Sequence, residues 1–188
     1  MRNSQPPIAK PGRKQPSLGS CCIYVDADNQ PAVLSAALLR ALRDRHLAPC
    51  RAEVFGNIKS NGLAPWAEHL RQDAALASCV RVHEVPCFDQ SADVSLMLAL
   101  GGSLDKLRRD RTHVVIVSRD NVLLACAQRL KDFGLRVLVV HHSAPAPRFK
   151  VPRLALATES DPASDRSGPK RAHPARTLPL GASVAVPC

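Results

Sequence analysis

The sequence predicts an α/β protein: a three-layer α/β/α sandwich around a mainly parallel, five-stranded sheet with strand order 3-2-1-4-5. Between residues 21 and 142, short apolar segments alternate with segments whose apolar residues recur at helical spacing. Two of the short segments, HVVIV at 113–117 and RVLVV at 136–140, are apolar almost throughout, which is typical of parallel strands covered on both faces. Strands that alternate with helices favour parallel pairing with helices on both sides of the sheet.

Each element has its own signal. Pro31 suits a first helical turn, Gly56 closes the second strand, Pro86 stops the third, and Gly134 ends the last helix. Ser91 is a candidate cap for the third helix, which we expect Gly101 and the next glycine to interrupt. The predicted strands are 21–26, 51–55, 79–85, 113–117 and 135–140, and the predicted helices are 31–47, 64–77, 91–109 and 121–133.

The flanks differ from this central domain at 21–142. Residues 1–20 contain four prolines and four basic residues without an acid, so we predict a disordered basic arm. Residues 143–188 contain eight prolines, and we predict a largely disordered basic tail with one short ordered stretch near 149–157. The net charge of +10 lies mainly in these flanks, because the central domain has fifteen basic against thirteen acidic residues. Basic flanks indicate tethering to a polyanion such as RNA, whereas the simpler alternative is that they keep the chain soluble.

We expect a cytoplasmic protein with no membrane segment. No window is apolar over the length that a membrane helix needs, and the polar N-terminus lacks the apolar core of a secretory signal. The seven cysteines are an odd number without the spacing of a disulfide framework, which indicates a reducing compartment.

Carboxylates follow two of the predicted strands. The first strand runs into Asp26 and Asp28 in IYVDADN (23–29), and the fourth runs into Asp120 in THVVIVSRDN (112–121). Asp93 lies in the first turn of the helix after the third strand. With order 3-2-1-4-5 the first and fourth strands are neighbours, so these acids meet at the sheet edge where α/β proteins bind ligands. Converging carboxylates repel one another unless a cation lies among them, and Mg²⁺ or Mn²⁺ suits such oxygen ligands.

Five segments in order resemble the motifs of NYN domains, a family of PIN-like ribonucleases. They are YVDADNQP (24–31), EVFGN (53–57), SADVSL (91–96), VIVSRD (115–120) and RLKDFGLRV (129–137). The resemblance implies a PIN-like sandwich with a Mg²⁺- or Mn²⁺-dependent site that cleaves RNA. It assigns Asp26, Asp93 and Asp120 as catalytic acids and metal ligands.

The resemblance also assigns neighbours of these acids. Asn29 corresponds to the polar residue after the first acid, and Ser118 to a small hydroxyl residue that orients the acid or contacts phosphate. Arg119 is a candidate phosphate contact. The alternatives are that Ser118 caps the following helix and that Arg119 is a solvated loop residue. Val122 stands where the family usually has a further acid.

The predicted function is a bacterial-type, PIN-like RNA-binding protein and metal-dependent endoribonuclease. The first alternative keeps the fold without the chemistry, as a degenerate NYN domain that binds RNA or protein, and Val122 favours it. The second alternative is a haloacid-dehalogenase-like phosphatase, because Asp26-Ala27-Asp28 resembles the nucleophile motif of that family. Single-stranded or structured RNA is the expected partner, and a homodimer is left open.

Overall fold

The sheet of the computed structural model has six parallel strands in the order β3-β2-β1-β4-β5-β6. The structure describes residues 18–142 and 150–156. The strands are β1 (Gly19–Asp26), β2 (Leu47–Asn57), β3 (Val80–Val85), β4 (His113–Val117), β5 (Val137–His141) and β6 (Arg153–Ala155). The helices are α1 (Leu34–Asp44), α2 (Leu63–Arg71), α3 (Ser91–Arg109) and α4 (Asn121–Asp132). The predicted α/β sandwich with β1 beside β4 is confirmed.

Two hydrophobic layers hold the helices against opposite faces of the sheet. On β1, Ile23 and Val25 face the layer of α1 and α2, whereas Tyr24 faces the layer of α3 and α4. This alternation follows from the two-residue period of a strand. Both faces of the central strands are therefore buried, as the apolar strand sequences predict.

The sixth strand was not predicted as part of the sheet. β6 pairs with β5 in parallel, and its residues lie in the stretch near 149–157 that we expected to be ordered. β1 begins at Gly19, within the predicted basic arm. Apart from these strands and the residues beside them, the predicted arm and tail lie outside the described residues.

The third helix differs from its prediction in two ways. α3 continues through Gly101 and Gly102, both of which are exposed. A glycine in a helix costs about 1 kcal/mol, which the burial of Leu96, Leu100 and Leu107 on the same helix exceeds. The predicted cap at Ser91 is wrong, because its hydroxyl donates to the Pro86 carbonyl at 2.5 Å.

Helix α1 is shorter than predicted, and strand β2 is longer. α1 begins only at Leu34, after a turn in which the Pro31 carbonyl accepts from the Leu34 amide. β2 starts at Leu47 and contains an irregularity against β1: Cys21 pairs with Pro49 and Cys22 with Arg51. One residue of β2, Cys50, therefore has no pairing partner on β1, as in a β-bulge.

Within residues 18–142 and 150–156, no helix has both the length and the apolar character needed to cross a membrane.

Candidate functional site

The three predicted acids line one cavity at the carboxyl ends of β1 and β4. The cavity has a volume of about 140 Å³ and a mostly polar lining, contributed by Asp26, Asp28, Asn29, Phe88, Gln90, Ser91, Ala92, Asp93 and Asp120. Asp26 ends β1, Asp93 comes from the first turn of α3, and Asp120 precedes α4. A cavity of about 750 Å³ between α2 and β3 is larger, but it contains none of these acids.

Asp26 is the buried member of the cluster, with 3% of its surface exposed. Its Oδ2 accepts a hydrogen bond from the Ser118 hydroxyl at 2.9 Å, across the junction of β1 and β4. Burial raises the pKa of Asp26 to about 7, the Ser118 hydrogen bond opposes this, and the charges of Asp93 and Asp28 add to it. The carboxyl therefore changes its protonation state near neutral pH when no cation is bound.

Asp93 and Asp120 are less buried and interact with each other through their charge. The pKa of Asp93 is raised, first by burial and then by the charges of Asp120 and Asp28. Asp120 caps α4, because its Oδ1 accepts from the Val122 amide at 2.6 Å. One oxygen of this carboxylate is thus engaged within the protein.

Asp28 joins the cavity although β1 ends before it. Both of its carboxylate oxygens accept from the Asn57 amide at 3.1 Å, which ties the turn after β1 to the end of β2. A Cβ on Gly56 would lie 3.0 Å from Asp28 Oδ1, so glycine at this position leaves room for the carboxylate. The cavity therefore holds a fourth acid.

The three residues predicted to contact substrate have different roles in the structure. Ser118 is 1% exposed and orients Asp26, while its oxygen accepts from the Asp120 amide at 3.0 Å. The alternative that Ser118 caps α4 is wrong, since Asp120 is the capping residue. Asn29 lines the cavity, and its Oδ1 accepts from the Arg119 amide at 3.1 Å. Arg119 itself is exposed and does not line the cavity.

Sequence reasoning missed Gln30, which is 2% exposed. Its side chain donates to Asn29 Oδ1 at 2.8 Å and accepts from the His142 amide at 2.8 Å. Its carbonyl accepts from the indole of Trp66 at 2.7 Å. Gln30 therefore connects the turn after β1 to β5 and α2. The one available signal was its place inside the YVDADNQP motif.

Phe88 and Gln90 were also missed. Phe88 lies on the cavity rim with 72% of its surface exposed. Gln90 lines the cavity with φ of 63°, a left-handed conformation that non-glycine residues adopt in a few per cent of cases. Neither residue carries a pattern that could have placed it beside the acids, because both lie in the loop between β3 and α3.

The chemistry of the donors fits a hard divalent cation. The cavity offers carboxylate oxygens, which Mg²⁺ and Mn²⁺ prefer, and two of its acids have raised pKa values that a cation would lower. Among the described residues, no three His, Cys, Asp or Glu side chains are already arranged around a metal position. Mg²⁺ commonly binds one or two carboxylates and keeps several waters, so the side chains present fit such an ion.

No family model matches this sequence, and no curated protein matches it either. Among solved structures, the chain is similar to the crystal structure of a protein of unknown function from Vibrio parahaemolyticus. The two chains are 14% identical, the match covers 69% of this chain and 85% of that one, and the TM-score is 0.47. The resemblance of the sequence motifs to NYN domains therefore stays a prediction.

Proposed function

We propose that this protein is a Mg²⁺- or Mn²⁺-dependent endoribonuclease of the NYN/PIN-like type and that the acidic cavity is its active site. The observation that carries the proposal is that Asp26, Asp93 and Asp120, from three separate elements, line one cavity between β1 and β4. A local role as a helix cap or at a strand end can account for each acid by itself. It does not account for the convergence of all three on one cavity.

In the proposed reaction, Asp26 and Asp120 would hold the ion, and Asp93 would be a further ligand or would position a water molecule. When bound there, a divalent ion would supply an activated water and would offset the charge that develops on the phosphodiester. Ser118 keeps the Asp26 carboxylate pointed at the cavity through its hydrogen bond. The Asp28 carboxylate adds negative charge to the cavity while it fixes the turn after β1.

RNA is the proposed substrate because the chain carries a net charge of +10 and an exposed aromatic ring stands beside the acids. Basic residues supply phosphate contacts, and Phe88 offers a face on which a base can stack. Cytoplasmic placement is part of the proposal, because the seven cysteines are an odd number without the spacing of a disulfide framework.

The test is incubation of the full chain with labelled single-stranded RNA in Mn²⁺ or in EDTA. We expect cleavage in Mn²⁺, none in EDTA, and a loss of at least about a hundredfold in Asp26→Asn and Asp93→Asn. Asp105→Asn is the matched control, because Asp105 is an exposed acid on α3 that does not line the cavity. Equal cleavage by Asp26→Asn and the wild type would contradict the proposal.

A second candidate function is an RNA- or protein-binding module that has lost catalysis. The observation that favours it is that Asp120 caps α4 through the Val122 amide, while Val122 occupies the position of the family's further acid. In the same assay, metal-independent RNA binding without cleavage would support this candidate. Release of phosphate from small esters would instead support the phosphatase alternative.

A further inference from the structure

Two cysteine thiols face each other across the junction of β1 and β2. The sulfurs of Cys22 and Cys50 lie 3.7 Å apart. Cys22 is 6% exposed and belongs to the core under α3 and α4, whereas Cys50 is exposed. A buried thiol thus lies in contact with an accessible one.

The β-bulge in β2 creates this contact. Cys22 pairs with Arg51 and Cys21 with Pro49, so Cys50 is the extra residue whose side chain turns toward β1. The Ser20 hydroxyl donates to Cys50 Sγ at 3.1 Å, and Cys50 Sγ donates to the Cys21 carbonyl at 3.3 Å. These two hydrogen bonds hold the Cys50 sulfur beside that of Cys22.

The pair is open to small molecules. A cavity of about 300 Å³ reaches both thiols and is lined further by Ser20, Arg51, Ser103, Lys106, Leu107, Asp110 and Thr112. Two cationic side chains (Arg51 and Lys106), one acid (Asp110) and three hydroxyl groups therefore line the cavity beside the thiols. Such a lining suits a small, polar thiol compound that carries both carboxylate and ammonium groups, as glutathione does.

We propose that Cys22 and Cys50 are a site of reversible oxidative modification, at which a small-molecule disulfide such as oxidised glutathione converts the two thiols to an intramolecular disulfide. This inference is independent of the proposed nuclease activity. Asp26 lies four residues beyond Cys22 on β1, roughly 13 Å along the strand, so the cross-link forms away from the acidic cavity.

The reaction is two successive thiol–disulfide exchanges. The Cys50 thiolate attacks the small disulfide, which forms a mixed disulfide and expels one small thiolate. The Cys22 thiolate then attacks Cys50 Sγ, which forms the Cys22–Cys50 bond and expels the second small thiolate. Two electrons and two protons pass from the protein to the small disulfide, which becomes two thiols.

The side chains around Cys22 determine how readily the second exchange occurs. Burial raises the pKa of Cys22 to about 11, the adjacent Cys50 adds to this, and the Arg51 guanidinium opposes it. Contact with Cys50 compensates for the small thiolate fraction, because a held reaction partner has a very high effective concentration. Rotation of the two side chains must close the 3.7 Å separation to a bond of about 2.05 Å.

Peptide mapping tests the pairing directly. The full chain is equilibrated in buffers of increasing oxidised to reduced glutathione, alkylated, and digested with trypsin without reduction. The sequence places Cys21 and Cys22 together in peptide 15–40 and Cys50 in peptide 46–51. We expect a disulfide between these two peptides in the wild type, in Cys21→Ser and in Cys87→Ser. It should be lost in Cys22→Ser and in Cys50→Ser.

Cys87→Ser is the matched control, since Cys87 is an exposed thiol whose sulfur donates to Asn57 Oδ1 at 3.2 Å. We also expect about tenfold more glutathione on Cys50 in Cys22→Ser than in the wild type, because the resolving thiol is missing. The proposal is overturned if glutathione accumulates on Cys50 of the wild type and no link between the two peptides forms. This result needs only the wild-type chain to be folded.

Discussion

At the scale of single residues, Asp26 shows a conflict between burial and charge. The carboxyl lies where the sheet excludes water, yet it has one side-chain hydrogen bond, from Ser118, to stabilise its anion. Burial therefore outweighs the hydrogen bond, and the pKa rises from 3.8 to about 7. Burial of the ionised carboxyl lowers the stability of the fold, and such a loss of stability is common at functional sites.

Asp26→Asn should stabilise the metal-free protein above pH 7. The pKa of Asp26 is higher in the folded protein than in the unfolded chain. The contribution of its protonated carboxyl to folding stability is therefore fully present below about pH 4, and it is lost as the pH rises through about 7. Asparagine cannot ionise and still accepts from Ser118, so we expect a gain of roughly 2–4 kcal/mol at pH 8 that vanishes near pH 4. Urea unfolding in EDTA, followed by the fluorescence of buried Trp66, measures it.

The control for this experiment is again Asp105→Asn, for which we expect the same stability as the wild type at both pH values. Mn²⁺ should stabilise the wild type and leave Asp26→Asn unchanged, since a ligand stabilises only the form that binds it. A variant that is equally destabilised at pH 4 and pH 8 would show that burial of the charge is not the dominant effect.

Phe88→Ala should weaken RNA binding without weakening the fold. The ring is 72% exposed on the cavity rim, and loss of one stacked base costs about 1–3 kcal/mol, or about 5- to 150-fold in affinity. Fluorescence anisotropy with single-stranded RNA in the Asp26→Asn background avoids cleavage. Phe133→Ala is the control, because Phe133 is an exposed aromatic at the far end of α4. Equal losses of RNA affinity in the two variants would show that Phe88 is not part of the proposed RNA interface.

At the scale of elements, a glycine lets α2 start beside the candidate site. Gly62 precedes α2, and a Cβ there would lie 2.2 Å from the Ala27 carbonyl oxygen. Ala27 stands between Asp26 and Asp28, so the start of α2 packs directly on the turn that carries two of the acids. By contrast, Gly101 in α3 has nothing within 4 Å of the position its Cβ would take.

Alanine at these two glycines should therefore have opposite effects. Gly62→Ala forces the turn after β1 to move, and we expect a loss of about 1–3 kcal/mol together with reduced RNA cleavage. Gly101→Ala removes the entropic penalty of a helical glycine, and we expect a gain of about 0.5–1 kcal/mol. Urea unfolding midpoints of the two variants provide the comparison. A higher unfolding midpoint for Gly62→Ala would mean that the turn after β1 can move without a loss of stability.

Sequence patterns predicted elements well where one local rule was sufficient. The apolar run of β4 and Gly134, whose φ is 85°, gave a strand and a helix end close to those observed. The glycine pair in α3 was misjudged, because burial of leucines elsewhere on that helix outweighs a local penalty. Ser91 failed as a cap for a related reason, since its hydroxyl found the Pro86 carbonyl instead.

At the scale of the whole molecule, the sheet extends one strand further than the sequence predicted. β6 is three residues long and lacks an alternating pattern, so its strand character comes from pairing with β5. Val151 and Leu156 beside it are buried against opposite hydrophobic layers. The same limit applies to the site: strand order placed Asp26, Asp93 and Asp120 together, whereas Phe88 and Gln30 depend on long-range packing that no local pattern encodes.

A chain that ends at residue 142 should be less stable than one that ends at residue 157. The shorter chain loses burial of Val151 and Leu156 and exposes the edge of β5, so we expect a deficit of roughly 2–5 kcal/mol and a tendency to aggregate. The longer chain keeps β6 and serves as the control for removal of the remaining tail. Urea unfolding and light scattering measure the two effects. Equal midpoints would show that β6 contributes little.

The hydrogen bond from Ser118 to Asp26 joins residues 92 positions apart in the chain, and it depends on the pairing of β1 with β4. Contacts of such long range form slowly, because closing the long intervening loop has an entropic cost that comes before the contact can stabilise the chain. During synthesis β1 emerges well before the strand that it needs as a neighbour. An incomplete chain therefore carries its acids as separate, solvated side chains, and the cavity exists only after the second central strand has joined the first.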